Sequence, residues 1–276
     1  MVCLQQLLDV WIWNKNFTRK DLESLLGHLS HAATVIHPGC IFLYQLFSLL
    51  SVASRPSFFI RLNAVARADL AWWHCLIHHW NGLSFFPSAQ HPLHVYSYAS
   101  GSFGCGAFCL EPSEWFQLKW PPSWLDIGIA VKELVPVVIA VALWGHQWSE
   151  KHVCFHSDNE AVVYAILKRY ANHPLLNQLL RCLFFYAAYF KFDYSAAHIS
   201  GSLNTTADAI SRNHMHLFHS FPQVGCTPIP PTVWEFLITA IRDWGSSTWI
   251  ELFARSLITE SHLPLHHPTE LGLAAT

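Results

Sequence analysis

Acidic residues are scarce in this sequence, 18 Asp and Glu among 276 residues, so their positions carry information. Glu133 sits in "VKELVPVV" ahead of an apolar run, Asp158 closes the strand-like "HVCFHSD", and Asp208 opens the closing helix "TTADAISRN". Each stands near a point where a sheet edge is expected to meet a helix. A divalent cation such as Mg²⁺ takes oxygen ligands at about 2.0–2.1 Å, and two such ions about 3.5–4 Å apart can clamp both sides of an in-line phosphoryl displacement. A site of that kind needs roughly four carboxylates converging from different elements. Each acid also has a purely structural reading. Asp158, just ahead of Asn159, could cap the next helix, and Asp208 could answer a helix dipole. Glu133 would be costly to bury unpaired, and otherwise would point to solvent. A catalytic carboxylate often stands where a polar strand end opens onto a turn. Here "HVYSYAS" runs into the glycine-rich "GSFGCGAF", and Tyr98 holds that place.

The elements that must position these residues follow from periodicity. "HVYSYAS", "GCGAFCL" and "EWFQLKW" are short β-type runs separated by turn residues, which predicts an antiparallel meander from His94 onward. A long helix over "DIGIAVKELVPVVIAVALWGHQW" follows, then the strand "HVCFHSD", the helix "NEAVVYAILKRY" and another helix from Pro174 to about Tyr189. "FKFDYSAAH" reads as the last strand, and "TTADAISRN" as a closing helix with Thr205 or Thr206 near its cap. The order β-β-β-α-β-α-α-β-α demands a mixed sheet with helices covering its faces.

Residues 1–88 read instead as helices. "TRKDLESLLGHLSHAATVI" places Leu22, Leu25, Leu26 and Leu29 at helical spacing after Thr18 as N-cap, and "HPG" at 37–39 breaks it. Further helices fit "CIFLYQLFSLLSVA" and "NAVARADLAWWHCLIHHWNG". After Asn213 the sequence turns rich in Pro and His, a linker composition over 214–276 with room for one or two short helices between 232 and 258.

Bulk properties limit the function classes. With 52% hydrophobic and 12% charged residues the chain can bury a large core, and its net charge of −2 lacks the basic excess of a free-standing nucleic-acid binder. The longest apolar stretch, "ELVPVVIAVALWGHQW", is interrupted by Pro136 and falls short of the roughly 20 residues of a membrane span, so it reads as a buried helix. The N-terminus carries no secretory leader pattern, and an intracellular location, cytoplasmic or nuclear, is expected. Eight cysteines stand singly, without the repeated CxxC of a zinc site, and read as reduced core residues. His74 and His78, four apart on one helix face, could hold a metal, but no ligand-rich segment follows them.

Residues 94–213 resemble the ribonuclease H domain of reverse transcriptases, on the order of elements, on "HSDNEAVV" and above all on "HISGSLNTTADAISR". The resemblance implies an α/β, ribonuclease H-like fold: a mixed five-stranded sheet flanked by helices. It implies two-metal hydrolysis of the RNA strand of an RNA-DNA hybrid, with Mg²⁺ or Mn²⁺ held by Glu133, Asp158 and Asp208 as the second, third and fourth acids of the family. His198, ten residues before Asp208, matches a histidine that assists product release or proton transfer. "LLGHLSHAATVIHPG" and "RADLAWWHCLIHHWNG" look like the thumb or connection segment that precedes ribonuclease H, and the chain throughout is similar to reverse transcriptases of DIRS-type, tyrosine-recombinase retrotransposons. Domains over 1–88, 89–213 and 214–276 are expected on that basis, with the polymerase part of a reverse transcriptase as a partner. Two features depart from the family. No adjacent pair of aspartates follows an aromatic residue in 1–93, so no polymerase palm is present, and Tyr98 takes the place of the first carboxylate, the one that touches both metal ions. A phenol with pKa about 10 is neutral at pH 7 and bulkier than a carboxylate, so impaired cleavage is expected. Asp126 and Glu160 are the acids that could swing in to replace it.

Overall fold

A computed structural model describes residues 2–13, 16–52, 55–79, 91–111, 113–214 and 225–243. The helical first part comprises α1 (Val2–Trp13), α2 (Arg19–Ala33), α3 (Tyr44–Val52) and α4 (Ala64–His79), with a 3-10 helix over His37–Leu43. Thr18 caps α2 as expected: its hydroxyl accepts from the Asp21 backbone N–H, while the Asp21 carboxylate accepts from the Thr18 N–H at 2.8 Å. The segment read as one helix from Cys40 begins instead as 3-10 helix, because Pro38 and Gly39 sit in its first turn. Two short strands not expected from the sequence, β1 (Phe17–Thr18) and β2 (Phe59–Ile60), pair antiparallel and tie the start of α2 to the lead-in of α4.

The second part runs β3 (Leu93–Ala99), β4 (Gly104–Cys109), β5 (Glu114–Lys119), α5 (Ile129–Trp144), β6 (His152–Ser157), α6 (Glu160–Lys168), α7 (Pro174–Phe190), β7 (Asp193–His198) and α8 (Thr205–Ser211), the order of elements read from periodicity. Beyond it lie β8 (Gly225–Cys226) and α9 (Pro231–Asp243). The sheet is six-stranded, in the order β7-β6-β3-β4-β5-β8, rather than five-stranded. The extra strand comes from the segment expected to be linker: β8 pairs parallel with β5 through Glu114 and Trp115, and α9 packs on α5 and α7 with Leu237 buried and Trp234 against Trp124. Two residues at a sheet edge carry no period, so no sequence pattern announces β8.

β3 is the central strand. It pairs antiparallel with β4 and parallel with β6, which in turn pairs parallel with β7. Alternate residues Leu93, Val95, Ser97 and Ala99 are buried, and His94, Tyr96 and Tyr98 are half-buried on the other face. α5 and α7 pack together, with α5 on β3 and β4, while α8 lies over β3, β4 and β5. α8 approaches closely because β4 offers Gly106 there: a Cβ at that residue would lie 2.2 Å from the Ile210 side chain. α5 is buried almost throughout, so although Ile129–Gln147 is long and apolar enough to cross a membrane, 78% of that stretch is buried inside the protein.

The helical part shares one continuous core with the sheet. The expected boundary at 88 falls among residues 80–90, outside the described set. The two parts are joined by a wholly buried ion pair, in which Arg181 on α7 donates from Nε and an Nη to the two carboxylate oxygens of Asp69 on α4, at 2.9 and 3.0 Å. Removing one partner leaves a buried charge uncompensated, so Asp69→Ala should cost about 3–5 kcal/mol in urea-induced unfolding. A loss under about 1 kcal/mol would show that the two parts do not depend on this pair.

Candidate active site

The carboxyl ends of β3 and β6 lie side by side. Tyr96 is level with His156 in the parallel register, so Tyr98 and Asp158 emerge from adjacent strands at the same edge. β3 has a parallel neighbour on one side and an antiparallel one on the other, and ligand sites of open α/β sheets favour the region beyond carboxyl strand ends where the topology changes.

α5 brings Glu133 beneath this edge. Its side chain does not reach solvent: the residue is 3% exposed, and Oε2 has no hydrogen-bond partner among the described residues. Burial raises its pKa to about 9, with Asp158 and then Asp208 adding repulsion and the Ala99 backbone N–H partly offsetting it. Lys132, next to it on α5, is also buried, and its ammonium donates to the Gly101 and Leu125 carbonyls at 2.6 and 2.8 Å. That lysine holds the β3–β4 turn and leaves Glu133 facing the strand ends.

Asp158 is not a helix cap. Asn159 does that work, its Oδ1 accepting from the Ala161 and Val162 N–H groups, which leaves the Asp158 carboxylate to the site. Its pKa is raised by burial and by Asp208, against the pull of its own backbone N–H and of His198. His198, at the end of β7, is exposed, with Nε2 3.2 Å from the Asp158 carbonyl oxygen. Asp208 lies in the first turn of α8. The N-cap of that helix is Asn204, with Thr205 and Thr206 next to it in the first turn. The Asn204 amide is spent on the Ser97 carbonyl at 2.9 Å, which pins the start of α8 to β3 and so sets where Asp208 stands.

The structure therefore brings Glu133, Asp158, Asp208 and Tyr98 together, with His198 at the rim. One participant was not singled out from the sequence, although it ends the motif "TTADAISR". Arg212 donates through Nε to Asp208 at 2.6 Å, lies 3.4 Å from the Tyr98 hydroxyl, and sets its guanidinium over the Tyr98 ring at 5.8 Å. Its i, i+4 spacing from Asp208 is the signal that marks it. The Tyr98 phenol has its pKa raised above 10, by burial first and by Asp208 and Asp158, with the Arg212 hydrogen bond opposing. It stays neutral at physiological pH and offers no anionic oxygen. Asp126 and Glu160, the acids that could replace it, are both exposed and are not among the charges acting on Tyr98 or Glu133.

No family model matches the chain, and no curated protein matches it. Among solved structures, ribonuclease H1 from the halophilic archaeon Halobacterium salinarum NRC-1 is similar over 46% of this chain and 98% of that one, at 12% identity and a TM-score of 0.35. The chain's own strand order speaks more directly. This is an α/β protein with a mixed six-stranded sheet, compatible with a ribonuclease H-like fold.

Asp158 and Asp208, which repel each other, and a buried third acid held neutral beside them with an orphaned oxygen suit a divalent cation, whose charge would offset the repulsion and let Glu133 ionise. Beside them the neutral Tyr98 phenol and the Arg212 guanidinium add no anionic ligand. The other candidate metal ligands do not extend this site: His74 Nε2 is paired with Asp9 Oδ1 at 2.7 Å, and the side chain of His78 lies outside the described set.

The buried acid makes stability depend on pH. Folded Glu133 keeps its proton up to about pH 9, whereas the unfolded side chain loses it near 4.5. Between those values the unfolded chain binds fewer protons, so this stabilising contribution is complete below the lower value and is lost as pH rises towards the upper, at up to about 1.4 kcal/mol per pH unit. Glu133→Gln removes the dependence. Urea unfolding should show the variant gaining on the wild type between about pH 5 and about pH 8, and parallel pH profiles would refute the buried protonated state.

Proposed function

We propose that the chain is the ribonuclease H-like part of a retrotransposon reverse transcriptase of the DIRS type, descended from an enzyme that hydrolyses RNA in an RNA-DNA hybrid and impaired in this copy by Tyr98. The observation that supports the reading best is the convergence of Glu133, Asp158 and Asp208, from a helix, a strand end and a second helix, on the carboxyl edge of the central strands. Mg²⁺ or Mn²⁺ is the ion proposed, with those three residues as its ligands. Such an ion supplies charge stabilisation at the phosphate and lowers the pKa of water.

The chain's own groups do the rest. Glu133, protonated when alone, becomes a ligand once a cation offsets its neighbours. The role proposed for His198, exposed with Nε2 on the Asp158 carbonyl oxygen, is to shuttle a proton or to ease product release at the rim. Tyr98 removes a negative oxygen from the centre of the site, and Arg212 already pairs with Asp208, so both residues oppose tight ion binding. Residues 1–88 play the part of the thumb or connection segment, the polymerase part of a reverse transcriptase is the partner, and the location is intracellular, cytoplasmic or nuclear.

The Tyr98–Arg212–Asp208 contact favours a second reading, in which the fold persists as a non-catalytic module that grips a hybrid or scaffolds a partner. A net charge of −2 makes such gripping weak, because each phosphate contact wants a Lys or Arg. One experiment separates the readings: cleavage of a labelled RNA-DNA hybrid with Mg²⁺ or Mn²⁺ by the wild type and by Tyr98→Asp. Restoring the carboxylate should raise the rate at least about 100-fold, or about 2.7 kcal/mol of barrier. Rapid wild-type cleavage would overturn the impairment, whereas salt-dependent hybrid binding with no cleavage by either protein would favour the module.

A further inference from the structure

The face of the sheet opposite α5 carries a second cluster of ligand-type side chains, unrelated to the carboxylates. His94 and Tyr96 on β3 and Cys154 and His156 on β6 point to that face, and the parallel register sets His94 level with Cys154 and Tyr96 level with His156. The Nδ1 of His94 and Nε2 of His156 lie 2.9 Å apart, and the ligand atoms of His94, Cys154 and His156 are all within 4.8 Å of one another. Tyr96 stacks on the His156 ring at 4.5 Å between centroids and 12° between planes, which holds that imidazole in place.

We propose that His94, Cys154 and His156 form a binding site for a zinc ion. Two imidazoles and one thiolate are the donor set that selects a borderline metal such as Zn²⁺ over Mg²⁺, and three protein ligands with an open fourth position form a recurrent zinc arrangement. On a tetrahedral zinc with Zn–N of about 2.0–2.1 Å and Zn–S of about 2.3 Å, the donor atoms stand about 3.4–3.6 Å from one another. The two nitrogens need only part by about half an ångström; the ring proton that made their mutual hydrogen bond moves to the other nitrogen of its own imidazole, both freed nitrogens bind the metal, and the Cys154 thiol gives its proton to solvent. The three side chains are half-buried, so the ion has a route in. The next histidine along the strip, His152, is already engaged, with Ser195 at 2.9 Å and Asp193 at 3.2 Å, and the site does not draw on it. Register makes the site: the two strands come from segments some 60 residues apart, and a slip of one residue would turn Cys154 and His156 to the buried face.

The test uses the full chain, reduced, dialysed against Zn²⁺ in excess Mg²⁺, with Co²⁺ as a spectroscopic probe. The expected result is one zinc retained per chain and a thiolate-to-cobalt charge-transfer band in the near ultraviolet. Cys154→Ser should abolish the band and weaken zinc binding more than about 100-fold, beyond the loss that follows when only an outer partner of a ligand is altered. His94→Gln keeps the thiol and should weaken binding comparably, and circular dichroism reports whether each variant is folded. Cys3→Ser and Cys226→Ser, at exposed cysteines elsewhere, should leave band and affinity intact. Failure of the wild type to retain zinc, or a folded Cys154→Ser or His94→Gln that binds like the wild type, overturns the proposal. Neither result bears on hybrid cleavage, which uses the separate carboxylate site.

Discussion

The candidate site turns on one buried carboxylic acid. Glu133 is held under the ends of β3 and β6 by a helix that is apolar on nearly every side, and among the described residues the Ala99 backbone N–H answers one of its oxygens while Oε2 has no partner. An isolated polar group in such a place costs several kcal/mol, and a group so placed adopts its neutral form. Its neighbours are arranged around that cost. Lys132 is turned away to clamp the β3–β4 turn, and Asn204 ties α8 down so that Asp208 faces the same space.

Tyr98 and Arg212 act on this arrangement together. The phenol beside the carboxylates is neutral, and the guanidinium, hydrogen-bonded to Asp208 and lying over the Tyr98 ring, carries a positive charge. Both residues lower the net negative potential that would draw a divalent cation. The scaffold and the chemistry are thus separable: strand order, the Asn159 cap and the Asn204 tether depend on none of the oxygens that would bind metal.

The helical first part is more than an appendage. The Asp69–Arg181 pair is fully buried where α4 meets α7, and Tyr44 reaches Tyr170 with its hydroxyl at 3.0 Å beside the turn between α6 and α7. α7 is therefore held between the helical part and the sheet, and α9 closes over it from another side. The cost of dehydrating both ions offsets most of their attraction, so the pair adds less net stability than the loss on removing one partner suggests.

The sequence alone determined the order of elements, the α2 cap at Thr18 and the positions of Glu133, Asp158 and Asp208, because hydrophobic period and local hydrogen bonding are properties of short stretches of chain. It did not reveal the sixth strand, since two residues at an edge carry no period, nor that Asn204 is the N-cap of α8, since that side chain is diverted to a strand more than a hundred residues away. Whether Glu133 faced in or out, and whether Asp158 capped a helix, stayed open until neighbouring elements were in place. Arg212 lay within the quoted motif, yet its contact with Tyr98 exists only because α8 crosses β3 over Gly106. The His94, Cys154 and His156 cluster depended on tertiary structure in the same way. Its members alternate unremarkably along two strands, and only the parallel register of β3 with β6, which local sequence does not encode, sets them side by side.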